Sequence, residues 1–419
     1  MTLLHRLLQK AEKKGEDFMK NKGLRHLSIL VSVLLAFVSL VSAQDYAEQK
    51  QEHNIGFYAP TRQTSPLPLS KAKKVKNIIL MIGDGMGAAQ VDAARIRAAG
   101  ATGRLHMECM PIAGLVKTHS DSHLVTDSAA AGTALASGIK TTNGAIGVSP
   151  REEPYITLLE AAQTKGKSTG LVATSSITHA TPASFASHVK SRKGETEIAE
   201  QLLENKVNVL LGGGKQFFLP QSVTGSKRKD DRDLLAEARS AGYLLAETGD
   251  DLDKANGAYV LGLFQMKELT TFPPEPSLAE LTLKAIDLLK TDKDGFFLMV
   301  EGSKIDWGCH ENNMDYSIRQ TLILDEAVYV ALDFALRDKK TLVIVTADHE
   351  TGGMAITGGS LDGSEIKIAW TTKDHSAVQV PLYAFGPCAA LFTGVQENTQ
   401  IPEKMAKLWK IHPFPQIQK

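Results

Sequence analysis

An adjacent acidic and imidazole pair, Asp348 and His349, directly follows an apolar stretch at 341–346, and two glycines come shortly after it. Both side chains are common metal ligands. Packing does not explain charged groups in this place, because a buried charge is costly without a partner. A divalent cation would supply that partner. His375 lies further along, just before another apolar stretch, and alone would be weak evidence.

A second group of ligand types follows the apolar stretch at 295–300. Asp306 and His310 are four residues apart, so a helical turn would place both on one side and suit a shared metal. Glu301 stands at the end of the stretch, where it could reach a second cation. The alternative for this segment is a salt-bridged turn. Asp84 lies in a Gly-Asp-Gly turn after an earlier apolar stretch, and an ordinary turn is the alternative there.

Ser128 opens an alanine-rich stretch typical of a helix, and Asp127 before it is a natural N-cap. A serine in this place would face free backbone N–H groups and the positive end of the helix dipole, where a phosphate can bind. A neutral serine is a poor nucleophile and needs a base or a metal beside it. The alternative interpretation is a capped core helix.

One further cluster contains His179 and Thr181, which offer a nitrogen and an oxygen ligand, with Arg192 eleven residues after Thr181. A guanidinium can bind a tetrahedral anion through two hydrogen bonds. A surface arginine is the alternative for Arg192. Cys309, between two candidate ligands, could bind zinc as a thiolate, but we expect it to be a bystander.

Apolar runs and helical segments alternate from residue 75 onward, which predicts one α/β domain with a largely parallel sheet. In such sheets ligands bind beyond the carboxyl ends of the strands, where the residues above are expected to meet. The predicted strands are 77–82, 112–118, 168–173, 207–211, 295–300, 341–346 and 378–385. The predicted helices are 88–99, 128–137, 156–163, 195–205, 278–289, 317–337 and 405–409, with an irregular segment at 350–376.

Taken together, these motifs resemble those of the alkaline phosphatase family, in its secreted bacterial type. The resemblance covers most of residues 75–390 and implies a three-layer α/β/α sandwich. It rests on motifs that stand in the family's order: Gly83-Asp84-Gly85, Thr126-Asp127-Ser128-Ala129-Ala130, Thr181-Pro182 with Arg192, Glu301 to Asp306 with His310, Asp348 to Gly353, and His375.

The resemblance implies hydrolysis of phosphate monoesters by two zinc ions and one magnesium ion, with Ser128 as the nucleophile and Arg192 as the phosphate clamp. The implied ligands are Asp306, His310 and His375 for the first zinc, Asp84, Asp348 and His349 with Ser128 for the second, and Asp84, Thr181 and Glu301 for magnesium. It also implies a homodimer.

Two positions depart from the enterobacterial pattern of the family, which has Asp where His179 stands and Lys where Trp307 stands. Both variants resemble other branches. Imidazole is a poorer partner for magnesium than a hard oxygen ligand, so we expect the third site to hold zinc or to hold magnesium weakly. Trp307 removes a cation near the phosphate, which predicts weaker binding of product phosphate.

Other activities would use the same scaffold. A phosphodiesterase of the superfamily commonly has Thr at the position of Ser128, and a sulfatase would carry a Cys or Ser in a modification motif. A non-catalytic periplasmic protein that binds phosphate or metal is the alternative from another class. That interpretation makes Ser128 a mere helix cap.

The 419 residues carry a net charge of zero, so no general attraction to nucleic acid or acidic membrane is expected. A basic segment, an apolar run at 27–40 and small residues up to Ala43 predict a signal peptide at 1–43, with Met19 as an alternative start. A membrane anchor is the competing interpretation. We therefore expect a periplasmic or secreted protein with a polar tether at 44–74 and a catalytic domain at 75–419. The three cysteines, Cys109, Cys309 and Cys388, allow one disulfide at most.

Overall fold

A large central sheet organises the chain in the computed structural model, which describes residues 54–61 and 65–418. The sheet has 10 strands in the order β14-β2-β13-β8-β1-β7-β3-β4-β6-β5, and β13 runs against the others. Two small two-stranded sheets pair β10 with β11 and β9 with β12. The strands are β1 (Asn77–Gly83), β2 (Ile112–Lys117), β3 (Ser168–Ser176), β4 (Val209–Gly213), β5 (Leu244–Ala246), β6 (Val260–Leu263), β7 (Phe296–Gly302), β8 (Thr341–Ala347), β9 (Glu350–Thr351), β10 (Met354–Gly359), β11 (Ile366–Trp370), β12 (His375–Ser376), β13 (Val380–Phe385) and β14 (Gly394–Glu397).

Helices flank this sheet in two groups, which confirms the predicted three-layer α/β/α arrangement. The helices are α1 (Ala88–Ala99), α2 (Ser128–Ser137), α3 (Leu158–Gln163), α4 (Ala180–Ala183), α5 (Glu195–Glu204), α6 (Leu234–Ser240), α7 (Gly249–Lys254), α8 (Leu278–Leu289), α9 (Lys304–His310), α10 (Met314–Asp338) and α11 (Gln400–Leu408). Helix α10 packs on α1, α8 and α9, whereas α2 contacts α3, α4 and α11.

The central strands are buried along their whole length, as their unbroken apolar sequence predicts. Every residue of β1, β7 and β8 is buried, because helices cover both faces of the sheet. Strand β2 lies next to the edge and alternates between more and less exposed residues. The strands that lead to the candidate ligands are therefore among the most completely buried in the sheet.

Helix α8 shows how local sequence fixes an element of this core. Its N-cap Ser277 accepts a hydrogen bond from the backbone of Glu280, and the Glu280 carboxylate accepts one from the backbone of Ser277. Its buried residues are spaced three and four apart, from Leu278 to Leu289, so one face packs on the sheet and the other meets solvent.

Several predicted bounds need correction. The segment 350–376 is not irregular, because it contains β9 to β12, and the predicted strand at 207–211 lies at Val209–Gly213. Helix α11 begins at Gln400 rather than at 405, and α10 is longer than predicted at both ends. Strands β5, β6 and β14 and helices α4, α6 and α7 were not predicted, because segments this short carry too few apolar repeats to be recognised.

The predicted signal peptide at 1–43 and parts of the tether lie outside the described residues. Within the tether, Tyr58 is buried and donates a hydrogen bond to Asp325 on α10 at 2.6 Å. Among residues 54–61 and 65–418, no helix is both long and apolar enough to cross a bilayer. The three cysteines are all free thiols.

Candidate active site and metal centre

Neighbouring strands of the sheet end side by side, and the predicted ligands lie just beyond these ends. Strands β8, β1, β7 and β3 are adjacent in the sheet, and Gly83 at the end of β1 pairs with Gly302 on one side and Ala347 on the other. Parallel strands bring their carboxyl ends to one edge. Residues far apart in the chain therefore meet there.

The turn after β1 must approach its neighbours closely, and Gly85 allows this. Gly85 has φ of 70°, and a Cβ atom there would lie 2.8 Å from Cα of Asp306 and 2.7 Å from Oγ1 of Thr351. Its backbone N–H donates to Oδ1 of Asp348 at 3.2 Å. Only glycine tolerates this conformation and these close contacts. The turn therefore holds Asp84 between the segment that carries Asp306 and the segment that carries Asp348.

The first ligand cluster contains Asp306, His310 and His375, whose ligand atoms lie within 4.8 Å of one another. The Nε2 atoms of the two histidines are 3.2 Å apart, and that of His310 is 3.2 Å from Oδ2 of Asp306. Each Nδ1 faces a backbone carbonyl, that of Lys373 for His310 and that of Thr126 for His375. A carbonyl accepts only, so each Nδ1 carries the proton and each Nε2 is turned toward the cluster.

The second cluster contains Asp84, Asp348 and His349 within the same limit of 4.8 Å. Nε2 of His349 lies 3.4 Å from Oδ1 of Asp84 and 3.3 Å from Oδ2 of Asp348. The imidazole rings of His349 and His375 stack with centroids 3.6 Å apart, so the first two clusters are in contact.

A third cluster reuses Asp84 and adds His179 and Glu301, again within 4.8 Å. Thr181 lies on helix α4, two residues after His179, and is fully buried. Asp84 thus belongs to two clusters, as the family resemblance implies for the second zinc and the magnesium.

Ser128 lies at the start of α2 and is 2% exposed. Its Oγ is 3.2 Å from Nε2 of His349 in the second cluster. Asp127 caps the helix by accepting a hydrogen bond from the N–H of Ala130 at 3.0 Å, as the sequence predicts. The hydroxyl is therefore held at a helix N-terminus beside a group of candidate metal ligands.

The carboxylates of these clusters repel one another when no cation is bound. Burial, together with the charge of Asp348, raises the pKa of Asp84 well above its usual value. Burial also raises the pKa of Asp348 to about 6 and that of Glu301 to about 7. Desolvation lowers the pKa of His349 to about 4 and that of His179 to about 3, so both imidazoles are neutral and ready to act as ligands.

Unpaired buried atoms show that these residues suit bound cations. Within the described chain, buried atoms without a hydrogen-bond partner include both carboxylate oxygens of Asp84, Oδ2 of Asp348, Oε1 of Glu301, Oγ1 of Thr181 and Nδ1 of His179. A buried polar atom normally has a partner, and so many in one place need an explanation. Divalent metal ions would satisfy them, because carboxylate, hydroxyl and imidazole groups are the usual ligands.

Arg192 lies beside the helix that begins with Ser128, and its side chain is 26% exposed. Its Nη1 donates to Oδ2 of Asp127 at 3.0 Å, and its Nη2 lies 3.1 Å from Nε2 of His179. Trp307 is also present, with its ring edge-on to His179 and centroids 6.2 Å apart. The two residues predicted to distinguish this site from the enterobacterial pattern are thus in contact.

Sequence analysis gave no role to Thr351 or Glu350, and it gave Asp127 only that of a helix N-cap. Thr351 donates a hydrogen bond to Oδ1 of Asp306, Asp127 holds Arg192, and Glu350 is 3% exposed beside His349. The charge of Glu350 directly after two ligands was a usable signal, but nothing local indicated the partners of Thr351 or Asp127. Cys309 belongs to no metal cluster of the described residues, and burial raises the pKa of its thiol to about 12, as befits a bystander.

Comparison with known proteins agrees with this geometry. The family model described as alkaline phosphatase matches residues 75–366 and 363–411. Alkaline phosphatase 4 of Bacillus subtilis is 35% identical, with 84% of this chain and 93% of that protein covered.

Solved structures give the same result. The alkaline phosphatase of the Antarctic bacterium TAB5 is 37% identical, with a TM-score of 0.75, and covers 81% of this chain and 99% of its own. A variant of the TAB5 enzyme in which a histidine is replaced by aspartate, with Mg bound in its M3 site, is 36% identical with a TM-score of 0.74, and it covers the same shares of the two chains. Since the family model and these relatives span most of its length, the chain belongs to the alkaline phosphatase family.

Proposed function

We propose that this alkaline phosphatase hydrolyses phosphate monoesters in two steps through a phosphoserine on Ser128. The observation that carries the proposal is the position of the Ser128 hydroxyl, at a helix N-terminus and 3.2 Å from Nε2 of a clustered histidine, His349. Phosphate would find free N–H groups and the helix dipole there.

Arg192 is the residue that would bind the phosphoryl group. Its guanidinium can donate two hydrogen bonds to two phosphate oxygens, and Asp127 fixes its orientation. In the first step Oγ of Ser128 bonds to phosphorus while the ester oxygen leaves with the alcohol. In the second step water attacks the phosphoserine, the bond to Oγ breaks, and inorganic phosphate departs. Catalysis depends mainly on positioning and on neutralising charge.

The metal content we propose is two zinc ions, in the clusters of Asp306 and of Asp348, and a third ion at Asp84, Glu301, Thr181 and His179. When bound, these ions would act as Lewis acids and lower the pKa of the attacking oxygens. Magnesium is the proposed third ion, and zinc is the alternative because His179 offers nitrogen. In the TAB5 variant described above, aspartate replaces a histidine and Mg is bound in the M3 site, which agrees with the preference of magnesium for oxygen ligands.

The protein's setting is also part of the proposal. We infer a homodimer that is exported to the periplasm or secreted after signal cleavage, and that acts on a broad range of small monoesters. Arg192 and Ser128 would bind the phosphate, whereas nothing in their arrangement binds the alcohol. The range of substrates should therefore be broad. Size-exclusion chromatography with light scattering, and sequencing of the mature N-terminus, would test these points.

A labelling experiment tests the nucleophile. The purified protein is mixed with ³²P-labelled aryl phosphate and quenched in acid, and the labelled peptide is identified. We expect label on Ser128, no label in Ser128→Ala, and normal labelling in the control Ser137→Ala on the same helix. Label on another residue, or turnover by Ser128→Ala at the wild-type rate, would contradict the proposal.

Two further measurements test the reaction and its cofactors. Initial rates on the phosphate monoester, phosphate diester and sulfate ester of one aryl alcohol should favour the monoester strongly. Chelation should abolish activity, and zinc with magnesium should restore it. A preference for the diester or for the sulfate would instead assign the chain to another activity of the superfamily.

A further inference from the structure

Two buried polar side chains behind the metal clusters have no role in the proposed mechanism. Gln90 on α1 is 1% exposed, and Glu350 on β9 is 3% exposed. Nε2 of Gln90 donates to Oε1 of Glu350 at 2.9 Å. We refer to these two residues as the Gln90–Glu350 pair. They are 260 positions apart in the chain, so their contact exists only in the fold.

Glu350 binds four donors and ties together the segments on either side of it. Oε1 also accepts from the N–H of Met354 at 3.1 Å, and Oε2 accepts from the N–H of Gly353 at 3.2 Å and from the hydroxyl of Ser376. Ser376 is the neighbour of the ligand His375, and it pairs with Glu350 between β12 and β9. The carboxylate therefore holds the strand that carries His375 against the strand that follows His349.

Gln90 extends the same contact to the other ligands of the first cluster. Its Nε2 also donates to the carbonyl of Thr351 at 2.8 Å and lies 3.5 Å from Sγ of Cys309. Cys309 precedes the ligand His310, and the hydroxyl of Thr351 donates to the ligand Asp306. The Gln90–Glu350 pair thus touches a neighbour of each first-cluster ligand: Thr351 for Asp306, Cys309 for His310 and Ser376 for His375.

Packing around the pair is close enough to fix it in place. A Cβ atom at Gly87 would lie 2.3 Å from Cγ of Glu350 and 2.8 Å from Oε1 of Gln90. Only glycine fits at this position without displacing one of the two side chains. Both oxygens of Glu350 accept hydrogen bonds, and buried groups bonded in this way orient metal ligands in proteins.

We propose that the Gln90–Glu350 pair is a positioning device that holds Asp306, His310 and His375 in a geometry ready to bind metal, and so sets the affinity of the first cluster. The inference rests on the proposed metal content of the site. Neither residue touches the substrate or the metal, and both act through the ligands' neighbours. A role limited to stabilising the fold is the interpretation that the test must separate from this one.

Two variants probe the pair. Glu350→Gln keeps the shape of the side chain but replaces one accepting oxygen by a donor, so it loses hydrogen bonds on one arm. Ser376→Ala removes only the link to the strand of His375. The matched control is Glu160→Gln, another buried carboxylate, whose bonds go to Thr157, His188 and Asn205 outside the metal clusters.

The measurement is zinc release from the full-length zinc-loaded protein to a chromogenic chelator, which does not depend on activity. His375→Ala identifies which release phase belongs to the first cluster. We expect both probe variants to lower the zinc affinity of the first cluster alone by about 10–100-fold, the usual effect of losing groups that orient ligands. Zinc should therefore leave this cluster more readily, whereas the other release phases stay as in the wild type. Glu160→Gln should leave the zinc affinity of the first cluster unchanged, even if its free energy of unfolding falls as much as that of Glu350→Gln.

The outcomes separate this proposal from the proposed function. Unchanged zinc release in Glu350→Gln and Ser376→Ala, from a wild type that binds zinc, would overturn the positioning role alone. The positioning role would also be overturned if zinc affinity fell equally in every release phase, in proportion to the loss in free energy of unfolding. That result would indicate a purely structural role. A wild type that binds no zinc would overturn the proposed metal content and this inference with it.

Discussion

The guanidinium of Arg192 lies between Asp127 and His179, with Nη1 3.0 Å from Oδ2 of Asp127 and Nη2 3.1 Å from Nε2 of His179. Asp127 is also the N-cap of the helix that begins with Ser128. One carboxylate therefore fixes both the candidate nucleophile and the candidate phosphate clamp. On its other side the clamp contacts the histidine of the third cluster, so a change at either neighbour should alter how phosphate is bound.

Two substitutions of Asp127 should separate its effect on stability from its effect on phosphate binding. Oδ1 accepts from the N–H groups of Ala130 and Gly144, both at 3.0 Å, and Oδ2 accepts from Arg192. Asp127→Ala loses all of these bonds and should lower the free energy of unfolding by about 1–2 kcal/mol, the usual cost of losing an N-cap. Asp127→Asn can keep the cap while it weakens the ion pair. Denaturant unfolding and steady-state kinetics would measure both effects.

For Asp127→Asn we expect near wild-type stability with altered KM and phosphate inhibition, since Arg192 is no longer fixed by a charge. If both variants change stability and kinetics in the same proportion, the carboxylate has no separate role in holding Arg192.

His179→Asp should change the metal preference of the third cluster. The substitution replaces a nitrogen ligand by an oxygen ligand beside Asp84 and Glu301, and magnesium prefers oxygen. We expect higher magnesium content after dialysis and stronger activation by added magnesium. Elemental analysis of the purified protein measures the first effect directly. His179→Asn, which offers a neutral amide oxygen, is the control for charge, and identical magnesium content in wild type and His179→Asp would contradict the expectation.

Trp307→Lys should tighten product inhibition. Trp307 stands edge-on to His179, close to the group that contacts Arg192. A lysine there would add a positive charge near bound phosphate, and we expect the inhibition constant for inorganic phosphate to fall. Trp307→Phe is the neutral control and should not show the effect. An unchanged inhibition constant in Trp307→Lys would reject the idea that this position controls phosphate binding.

His188 and Glu160 should make stability depend on pH. Nδ1 of His188 donates to the carbonyl of Gly147 and Nε2 donates to Glu160 at 2.9 Å, so both ring nitrogens carry protons. Burial alone lowers the pKa of His188, but the hydrogen bond to Glu160, the charge of Glu160 and the carbonyl of Gly147 together outweigh it and raise the pKa above 6.5. Burial alone raises the pKa of Glu160, but its interactions with His188, Thr157 and Asn205 together outweigh it and lower the pKa below 4.5.

The sign of the effect follows from these directions. The contribution of His188 is complete below pH 6.5 and is lost as pH rises through its folded pKa, whereas that of Glu160 is complete above pH 4.5 and is lost as pH falls. His188→Gln should therefore lower the free energy of unfolding by about 1–2 kcal/mol near pH 6 and by less at pH 9. Urea unfolding of metal-free wild type and variant would measure this, with the exposed His123→Gln as control. An equal loss at both pH values would show that the pair is not ionised.

The amino-acid sequence by itself determined the chemical character of this protein. Unbroken apolar runs alternate with helical segments, which predicts a parallel sheet, and ligand residues directly after those runs must gather at its carboxyl edge. The spacing of Asp306 and His310, and the N-cap before Ser128, are local features, and the structure has both on the helices expected. Such features depend on a few neighbouring residues and on the helical repeat, so they can be read along the chain.

Only the tertiary structure decided how these residues share their partners. Asp84 belongs to two clusters, Arg192 joins Asp127 to His179, and Gln90 reaches Glu350 across 260 positions of sequence. Each of these contacts depends on strand register, helix packing and the close approach permitted by Gly85 and Gly87. These are properties of the assembled layers, and no local pattern specifies them, because the free energy of each contact is gained only when distant segments are already in place.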